Sequence, residues 1–371
     1  MIPRRKLLVI GNGMVGQRLL EKLSALPRNH DVTVLCEEPR PAYDRVGLTS
    51  FFSGRSAADL SLVEEDFFER SGIVLHLSER AEAIDRETRR VRTSAGRVLE
   101  YDSLVLATGS YPFVPPIPGR ERSNCFVYRT IEDLIAIQEA GRQARVGAVI
   151  GGGLLGLEAA KALADLGLET HVVEFAPRLM AVQVDDGGGR VLRRHIEGLG
   201  VRVHCGKSTT SIEAGAEHHN VLHFADGEKL EADIVVFSAG IRPQDALARS
   251  AGLDVGPRGG IVIDDSCRTS DPCIYAIGEC AAWQGKLYGL VAPGYQMADV
   301  VADVLAGTGE RRFAGADMST KLKLMGVDVA SLGDAHAATP DAQCCTLVDE
   351  LAGIYKKLVL SQDGSRLLGG I

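Results

Sequence analysis

The chain has 371 residues, of which 45% are hydrophobic and 24% are charged, as in an ordinary globular protein. This length predicts about two or three domains. The net charge is −8, with lysines and arginines spread along the chain, which argues against the clustered basic face of a nucleic-acid-binding protein. The sequence holds no run of about 18 apolar residues, so no membrane-spanning helix is expected.

The eight cysteines bear on the cellular compartment of the protein and do not indicate a metal or disulfide site. Most of them lie in or beside apolar runs, where cysteine acts as a small buried hydrophobe. No pair has C-x-x-C spacing, and the adjacent Cys344 and Cys345 have no partner pair at metal-site spacing. Since no secretion signal is present, we expect a cytoplasmic protein without a metal site or a disulfide framework.

The first predicted element is a strand–turn–helix–strand unit. An apolar run over 7–10 leads into Gly11-Asn12-Gly13-Met14-Val15-Gly16, and a second run over 32–36 ends at Glu37. Such glycines allow the tight turn and the close approach of a pyrophosphate, the helix N-terminus attracts phosphates, and the acid binds ribose hydroxyls. One fingerprint alone is weak evidence, because an ordinary strand-to-helix turn can also require glycine.

A hairpin-like stretch and a further strand follow. The turn around Ala95-Gly96 leads into an apolar strand over 101–106, which ends at Ala107-Thr108-Gly109. The prolines between 112 and 118 then stop both helix and central strand, so we expect a crossover between domains there.

The second unit repeats the first. A run over 146–150 leads into Gly151-Gly152-Gly153-Leu154-Leu155-Gly156, and the next run ends at Glu174. A hairpin-like stretch around Asp226-Gly227 and a strand ending at Ser238-Ala239-Gly240 complete the repeat. Because the whole module recurs, the sequence predicts two α/β domains with central parallel sheets that bind two dinucleotides. Short strands over 260–264 and 273–278 and a helix over about 294–306 follow.

Four motifs in this order resemble the two-dinucleotide-binding flavoprotein reductases. They are the first fingerprint, the strand end 107–109, the second fingerprint with Glu158, and Ala276-Ile277-Gly278-Glu279-Cys280. Finer features resemble the N-terminal flavoprotein part of the nitrite reductase [NAD(P)H] large-subunit family. These features are the stretches 37–46, 185–189, 288–295 and 326–331.

The resemblance implies a domain order. An FAD domain of residues 1–112 and 241–312 would enclose an NAD(P)H domain of residues 113–240, and both would be Rossmann-like with three layers. Residues 313–371 would form a C-terminal α+β interface domain. Because the sequence stops within the strand-like run Leu367–Ile371, we expect this last domain to be incomplete.

The first fingerprint and the resemblance together assign FAD to one group of residues. Glu37 would bind the adenosine ribose, Arg45 the phosphates, the backbone of Ala81 the adenine, and Glu279 the ribityl chain in place of the usual aspartate. Arg45 and Arg129 could also be surface arginines, and Glu279 a helix-start acid. The group consists of Gly11, Gly13, Met14, Val15, Gly16, Glu37, Glu38, Arg45, Ala81, Thr108, Gly109, Arg129, Gly278 and Glu279.

The second fingerprint is assigned to NADH. The carboxylate of Glu174 repels a 2′-phosphate and so favours NADH, although Arg178 could allow NADPH. By the resemblance, Glu158 on the first helical turn would orient the nicotinamide; a helix-start acid is the alternative. Since the cofactors carry the hydride chemistry, no catalytic side chain is expected. The assigned residues are Gly151, Gly153, Leu154, Leu155, Gly156, Glu158, Glu174 and Gly240.

The implied activity is electron transfer from NADH through FAD to an iron–sulfur acceptor. The acceptor would be an iron–sulfur and sirohaem segment or a small iron–sulfur protein, and a homodimer is compatible with the C-terminal domain. Because no cysteine lies between Cys36 and Cys125, thiol–disulfide exchange beside the flavin is not expected. A stand-alone NADH:rubredoxin or ferredoxin reductase and an NADH-responsive, redox-sensing binding protein remain alternatives.

Overall fold

The computed structural model describes residues 4–27, 29–216, 219–324 and 326–371. Its contacts divide the chain into two compact units. The first comprises Met1–Arg45, Ser56–Tyr111 and Ile241–Asp317, and the second comprises Val46–Arg55, Pro112–Gly240 and Met318–Ile371. The four-segment division suggested by the sequence stays a prediction.

Seven α-helices occur in the described part of the chain. None of these described helices is long and apolar enough to cross a lipid bilayer. The helices are α1 (Met14–Ser24), α2 (Phe67–Ser71), α3 (Ile131–Gly141), α4 (Leu154–Asp165), α5 (Asp186–Gly198), α6 (Ala246–Ser250) and α7 (Val291–Ala306), with 3-10 helices at Leu48–Ser53 and Gly278–Cys280.

The strands are numbered in chain order. The earlier strands are β1 (Arg5–Ile10), β2 (His30–Leu35), β3 (Val74–His76), β4 (Ala81–Asp85), β5 (Arg90–Thr93), β6 (Val98–Glu100), β7 (Ser103–Leu106), β8 (Ser110–Pro112), β9 (Cys125–Val127), β10 (Val146–Ile150), β11 (Glu169–Glu174), β12 (Arg202–Cys205) and β13 (Thr209–Ala214). The later strands are β14 (Asn220–Phe224), β15 (Lys229–Ala232), β16 (Ile234–Phe237), β17 (Ile241–Pro243), β18 (Ile261–Ile263), β19 (Ile274–Ala276), β20 (Ala281–Trp283), β21 (Lys286–Leu287), β22 (Thr320–Leu324), β23 (Val327–Gly333), β24 (Gln343–Asp349), β25 (Ile354–Leu360) and β26 (Leu367–Gly370).

A parallel sheet of order β19-β7-β1-β2-β3 forms the centre of the first unit. Its strands are apolar runs buried in the core, as Leu104 and Val105 illustrate. Leu7–Ile10 of β1 pairs with Val32–Leu35 of β2, so the two strands end at the same edge. The glycine turn after β1 and the acids after β2 therefore share the edge at which such sheets bind dinucleotides.

The second unit repeats this arrangement. Its parallel sheet has the order β12-β11-β10-β16-β9, and β10 lies between β11 and β16 as β1 lies between β2 and β7. An antiparallel sheet, β13-β14-β15, follows in the second unit as β4-β5-β6 does in the first. The expected α/β fold with two Rossmann-like sheets is thus confirmed.

Equivalent carboxylates tie the central strands together in both units. Asp102 Oδ2 accepts a hydrogen bond from the backbone N–H of Lys6 at 2.7 Å. Asp233 Oδ2 accepts from the backbone N–H of Arg145 at 2.7 Å and of Val146 at 3.0 Å. Asp102 directly precedes β7, and Asp233 directly precedes β16. The internal repeat seen in the sequence therefore extends to these side-chain contacts.

The C-terminal part of the second unit is a sheet of order β22-β23-β26-β25-β24, antiparallel throughout. The described residues of 318–371 form strands and turns but no helix, so the helical share of the expected α+β segment is not found. Side chains of β25 instead alternate between the two faces of the sheet, with Lys357 and Val359 buried and Lys356 and Leu358 exposed.

Candidate dinucleotide sites

The glycines of the first fingerprint have two different structural roles. A Cβ at Gly11, whose φ is +107°, would lie 2.2 Å from the carbonyl oxygen of Ala107, and one at Gly16 would lie 2.3 Å from the carbonyl oxygen of Gly11. Side chains are therefore excluded at both positions by backbone packing. At Gly13, by contrast, no described atom beyond the chain neighbours lies within 4 Å of such a Cβ, so this glycine borders open space.

The N-terminus of α1 is open to an anion. No described side chain caps it at Gly13, and its first turn holds no acid. Its leading N–H groups and the positive end of the helix dipole are thus left for a phosphate. The buried Asn12 side chain holds the turn in place through two hydrogen bonds. It donates to Gln17 Oε1 at 3.2 Å and accepts from the backbone N–H of Ala42 at 3.0 Å. This turn fits a pyrophosphate.

The two acids after β2 are placed differently. The Glu37 side chain is 63% exposed, with its nearest cation, Arg80, at 3.9 Å. The Glu38 carboxylate is bound inside the unit, because it accepts from the Tyr43 hydroxyl at 2.6 Å and pairs with Arg45. Arg45 is 19% exposed and lies 4.7 Å from the centre of the Tyr43 ring, so it is not a surface arginine.

The strand end 107–109 is held by residues that the sequence did not single out. The Thr108 hydroxyl donates to the carbonyl oxygen of Gln244 at 2.7 Å, and the Gln244 N–H donates back to the carbonyl oxygen of Gly109 at 2.9 Å. The Ser110 hydroxyl donates to Glu279 Oε2 at 2.6 Å. Ser110 could have been noticed directly after Thr108-Gly109, whereas nothing in the sequence signals Gln244.

The remaining residues assigned to FAD are spread over both units. Gly278, at φ +80°, would place a Cβ 3.3 Å from Val15, so these two are brought together in the first unit. Ala81 is buried at the start of β4. Arg129 belongs to the second unit, where its backbone N–H donates to Asp133 at 3.0 Å just before α3.

The second fingerprint repeats the steric pattern of the first. A Cβ at Gly151, whose φ is +121°, would lie 2.2 Å from the carbonyl oxygen of Ser238, and one at Gly156 would lie 1.9 Å from the carbonyl oxygen of Gly151. Around Gly153 the space within 4 Å again holds no described atom beyond the chain neighbours. No described side chain caps α4, whose first turn carries Leu154 and Leu155 and no acid.

Glu174 is positioned at the end of β11 by backbone donors. Its carboxylate accepts from the N–H of Gly152 in the fingerprint and from the N–H of Ala176 at 2.6 Å. Arg178 donates to Asp186 Oδ1 at 2.6 Å and to the carbonyl oxygen of Val184 at 2.9 Å. The Arg178 guanidinium thus links the loop after β11 to the first residue of α5.

Glu158 lies beyond the first turn of α4 rather than on it. The helix begins at Leu154 and its first turn holds no acid, so the expected placement on that turn is wrong. Burial raises the pKa of the Glu158 carboxyl to about 7. The nearby Tyr128 is also buried, donates to the Thr49 hydroxyl at 3.2 Å and stacks on Phe52.

Two of the cysteines, Cys36 in the first unit and Cys125 in the second, are poorly suited to thiolate chemistry. Burial raises the pKa of the Cys36 thiol to about 11, and it raises that of Cys125 to about 11 as well. Both are therefore protonated at neutral pH, when a nucleophilic cysteine has to be a thiolate.

Comparison with known proteins identifies the family. The sequence model of the pyridine nucleotide-disulphide oxidoreductases matches residues 5–300. The chain belongs to this family. Its members are oxidoreductases, and membership implies FAD and NAD(P)H as the cofactors.

Two curated members of the family are especially similar to the chain. The nitrite reductase (NADH) large subunit of Escherichia coli strain K12 is 57% identical over 99% of this chain and 43% of that protein. The nitrite reductase [NAD(P)H] large subunit of Klebsiella oxytoca is 59% identical over 98% of this chain and 38% of that protein. The chain thus spans less than half the length of these relatives.

A solved structure of the family has the same fold. The ferredoxin reductase of Rhodopseudomonas palustris superposes with a TM-score of 0.87 at 28% identity, covering 99% of this chain and 90% of that one. The likeness extends over the C-terminal sheet as well as the two Rossmann-like sheets.

Proposed function

We propose that this chain is the NADH-oxidising flavoprotein part of an assimilatory nitrite reductase large subunit. The observation that carries the proposal is the pair of glycine turns, each with open space at its middle glycine, an uncapped helix and an acid after the next strand. The 57% identity to the Escherichia coli large subunit supports the choice of enzyme within the family. Bound FAD would accept a hydride from NADH and release electrons one at a time.

FAD is assigned to the first unit. The N-terminus of α1 and the space beside Gly13 would hold the pyrophosphate, and the exposed Glu37 would accept from the ribose hydroxyls. Glu279, oriented by Ser110, would accept from the ribityl chain. Gln244 would keep the strand end 107–109 closed over the cofactor.

NADH is assigned to the second unit. The pyrophosphate would bind at the N-terminus of α4 beside Gly153, and Glu174 would bind the adenosine ribose. NADH is favoured over NADPH because the carboxylate would repel a 2′-phosphate while Arg178 stays paired with Asp186. Glu158 would hold the carboxamide of the nicotinamide.

The electron acceptor in this proposal is an iron–sulfur centre. It would belong to an iron–sulfur and sirohaem segment of the same enzyme, and the final product would be ammonium. The cytoplasm is the proposed location, in keeping with eight cysteines that are all free thiols, the state maintained in reducing compartments.

The test uses matched alanine variants of the two open glycines. Wild-type protein should bind FAD, and NADH added without oxygen should bleach its flavin absorbance. Gly153→Ala should keep FAD and resist bleaching, since its Cβ obstructs NADH alone; Gly13→Ala should fold and fail to retain FAD. A colourless wild-type protein that refuses added FAD, or a Gly153→Ala variant bleached like wild type, would contradict the assignment.

A stand-alone ferredoxin or rubredoxin reductase is the second candidate. It is favoured by the coverage of 90% of the Rhodopseudomonas palustris ferredoxin reductase, which leaves little of that protein unmatched. Steady turnover with a small iron–sulfur protein as the sole acceptor would support this candidate over a nitrite reductase part.

A further inference from the structure

The glycine run after Asp185-Asp186 has no role in the function proposed above. These residues begin α5, directly after the loop 175–184 that follows Glu174. Three successive glycines weaken a helix, because each one is costly in a helix interior. Their presence at the start of α5 therefore calls for a packing reason.

The C-terminal sheet supplies one part of that reason. A Cβ at Gly187 would lie 2.3 Å from the ring of Tyr355 on β25. A Cβ at Gly189 would lie 2.9 Å from the Cβ of Arg178 in the loop. The first turn of α5 is thus packed against the sheet through one glycine and against the loop through another.

Asp185 connects this turn to the sheet by hydrogen bonds. Its Oδ1 caps α5 by accepting from the N–H of Gly188 at 3.0 Å. Its Oδ2 accepts from the Tyr355 hydroxyl at 2.8 Å and from Lys357 Nζ at 3.0 Å. The Lys357 side chain is 9% exposed and also donates to the carbonyl oxygen of Ala335 at 3.1 Å. Two side chains of one strand therefore fix the cap of α5.

The loop is fastened to the same turn and to the fingerprint. Arg178 joins it to Asp186, as described above. The N–H of Met180 donates to the carbonyl oxygen of Gly152 at 2.9 Å. His336, which follows β23, donates to the carbonyl oxygen of Val182 at 2.9 Å. This loop, whose Ala176 N–H donates to the Glu174 carboxylate, therefore contacts the fingerprint, α5 and the C-terminal sheet.

We propose that Tyr355 and Lys357 are positioning residues for NADH. By holding Asp185 they fix the first turn of α5 and, through Arg178, the loop that sets the position of Glu174. This inference rests on the proposed binding of NADH at the second fingerprint. It gives the C-terminal sheet a part in NADH binding without direct contact with the nucleotide.

The test measures NADH affinity in the full FAD-loaded chain. Tyr355→Phe keeps the ring against Gly187 and removes the hydroxyl, and Lys357→Met keeps the length of the side chain and removes the charge. Loss of a hydrogen bond of ordinary strength should raise the Kd for NADH by about three- to tenfold in either variant. Lys356→Met is the matched control, because Lys356 is exposed on the opposite face of β25, and its Kd should equal that of wild type.

Two further readouts separate positioning from general damage. The variants should raise KM for NADH with kcat nearly unchanged and should bind FAD as wild type does. The effect of Tyr355→Phe should shrink in an Arg178→Met background, because both changes interrupt the same chain of contacts. Should Lys357→Met fail to fold, Tyr355→Phe decides the matter.

The outcomes distinguish this inference from the proposed function. Wild-type NADH affinity in Tyr355→Phe, with or without a lowered melting temperature, would overturn the positioning role alone. A wild-type chain that binds FAD but shows no NADH binding would overturn the proposed function and this inference with it.

Discussion

Glu158 is a carboxyl group whose surroundings set its charge. It lies past the first turn of α4, near the buried Tyr128, and burial raises its pKa from near 4.5 to about 7. The folded chain therefore holds this proton more tightly than the unfolded chain does. Ionising the carboxyl costs stability progressively as the pH rises from about 4.5 to about 7, and the cost is fully present above that range.

Glu158→Gln should remove this cost. The variant should exceed wild type in free energy of unfolding by up to about 3 kcal/mol at pH 8 and by clearly less at pH 5. Urea unfolding of the two proteins at both pH values measures the difference. Glu139→Gln, which alters an exposed carboxylate, is the control and should follow wild type at each pH. Equal gains at pH 5 and pH 8 would show that Glu158 titrates in the usual carboxyl range.

In each Rossmann-like sheet, an aspartate carboxylate accepts hydrogen bonds from the backbone at the start of a central strand. Asp102 accepts one hydrogen bond from the backbone at the start of β1, and Asp233, 6% exposed, accepts two around the start of β10. The backbone N–H groups of Arg145 and Val146, at the start of β10, thus share the Asp233 carboxylate as their acceptor.

Asp233→Ala should therefore destabilise the second unit. Two partly buried N–H groups lose a charged acceptor, so the free energy of unfolding should fall by about 2 kcal/mol, and Asp233→Asn should recover part of it. Asp102→Ala removes a single acceptor and is the matched comparison, with the smaller expected loss. Denaturant unfolding checks the order, and a larger loss for Asp102→Ala than for Asp233→Ala would contradict the argument.

At the scale of the whole molecule, the feature most relevant to association is β24, the exposed outer strand of the C-terminal sheet. Every residue of β24 is exposed, including Leu347 at 57% and Val348 at 50%. It lies at one end of the strand order, so no described strand pairs with its outer side. A long apolar edge of this kind is a template for pairing with another chain.

We expect this chain to self-associate through β24 as its concentration rises. Val348→Lys should suppress the association, because a charge on an edge strand opposes pairing. Val98→Lys is the control, since Val98 is 58% exposed but lies on the short strand β6. Light scattering over a concentration series measures the effect; equal association of Val348→Lys and wild type would show that another surface is used.

Short sequence motifs predicted those parts of the fold that depend on contacts between residues close together in the chain. Both glycine turns, the acids that follow them and the strand ends at Gly109 and Gly240 could be read from the sequence, because steric and hydrogen-bonding needs within a few residues dictate them. Contacts between distant segments could not be predicted in this way. Ser110 and Glu279 are 169 positions apart, and Lys357 and Asp185 are 172 positions apart, with no pattern linking them.

The C-terminal segment shows why its all-strand structure could not be predicted from the sequence. In β25 the sequence Ile354-Tyr355-Lys356-Lys357-Leu358-Val359-Leu360 places a lysine among the buried side chains and leucine among the exposed ones. The buried lysine is tolerated because Asp185 and Ala335 satisfy it, and those partners are invisible in a local pattern.

The matched distances at the two fingerprints limit which residues the chain can carry there. A Cβ at Gly11 and a Cβ at Gly151 would each lie 2.2 Å from a backbone carbonyl oxygen. Asp102 and Asp233 each accept a hydrogen bond from the backbone at the start of the neighbouring strand. Any larger residue at either glycine would collide with main-chain atoms, which cannot turn aside as a flexible side chain can. The two halves are therefore equally intolerant of substitution at these two positions.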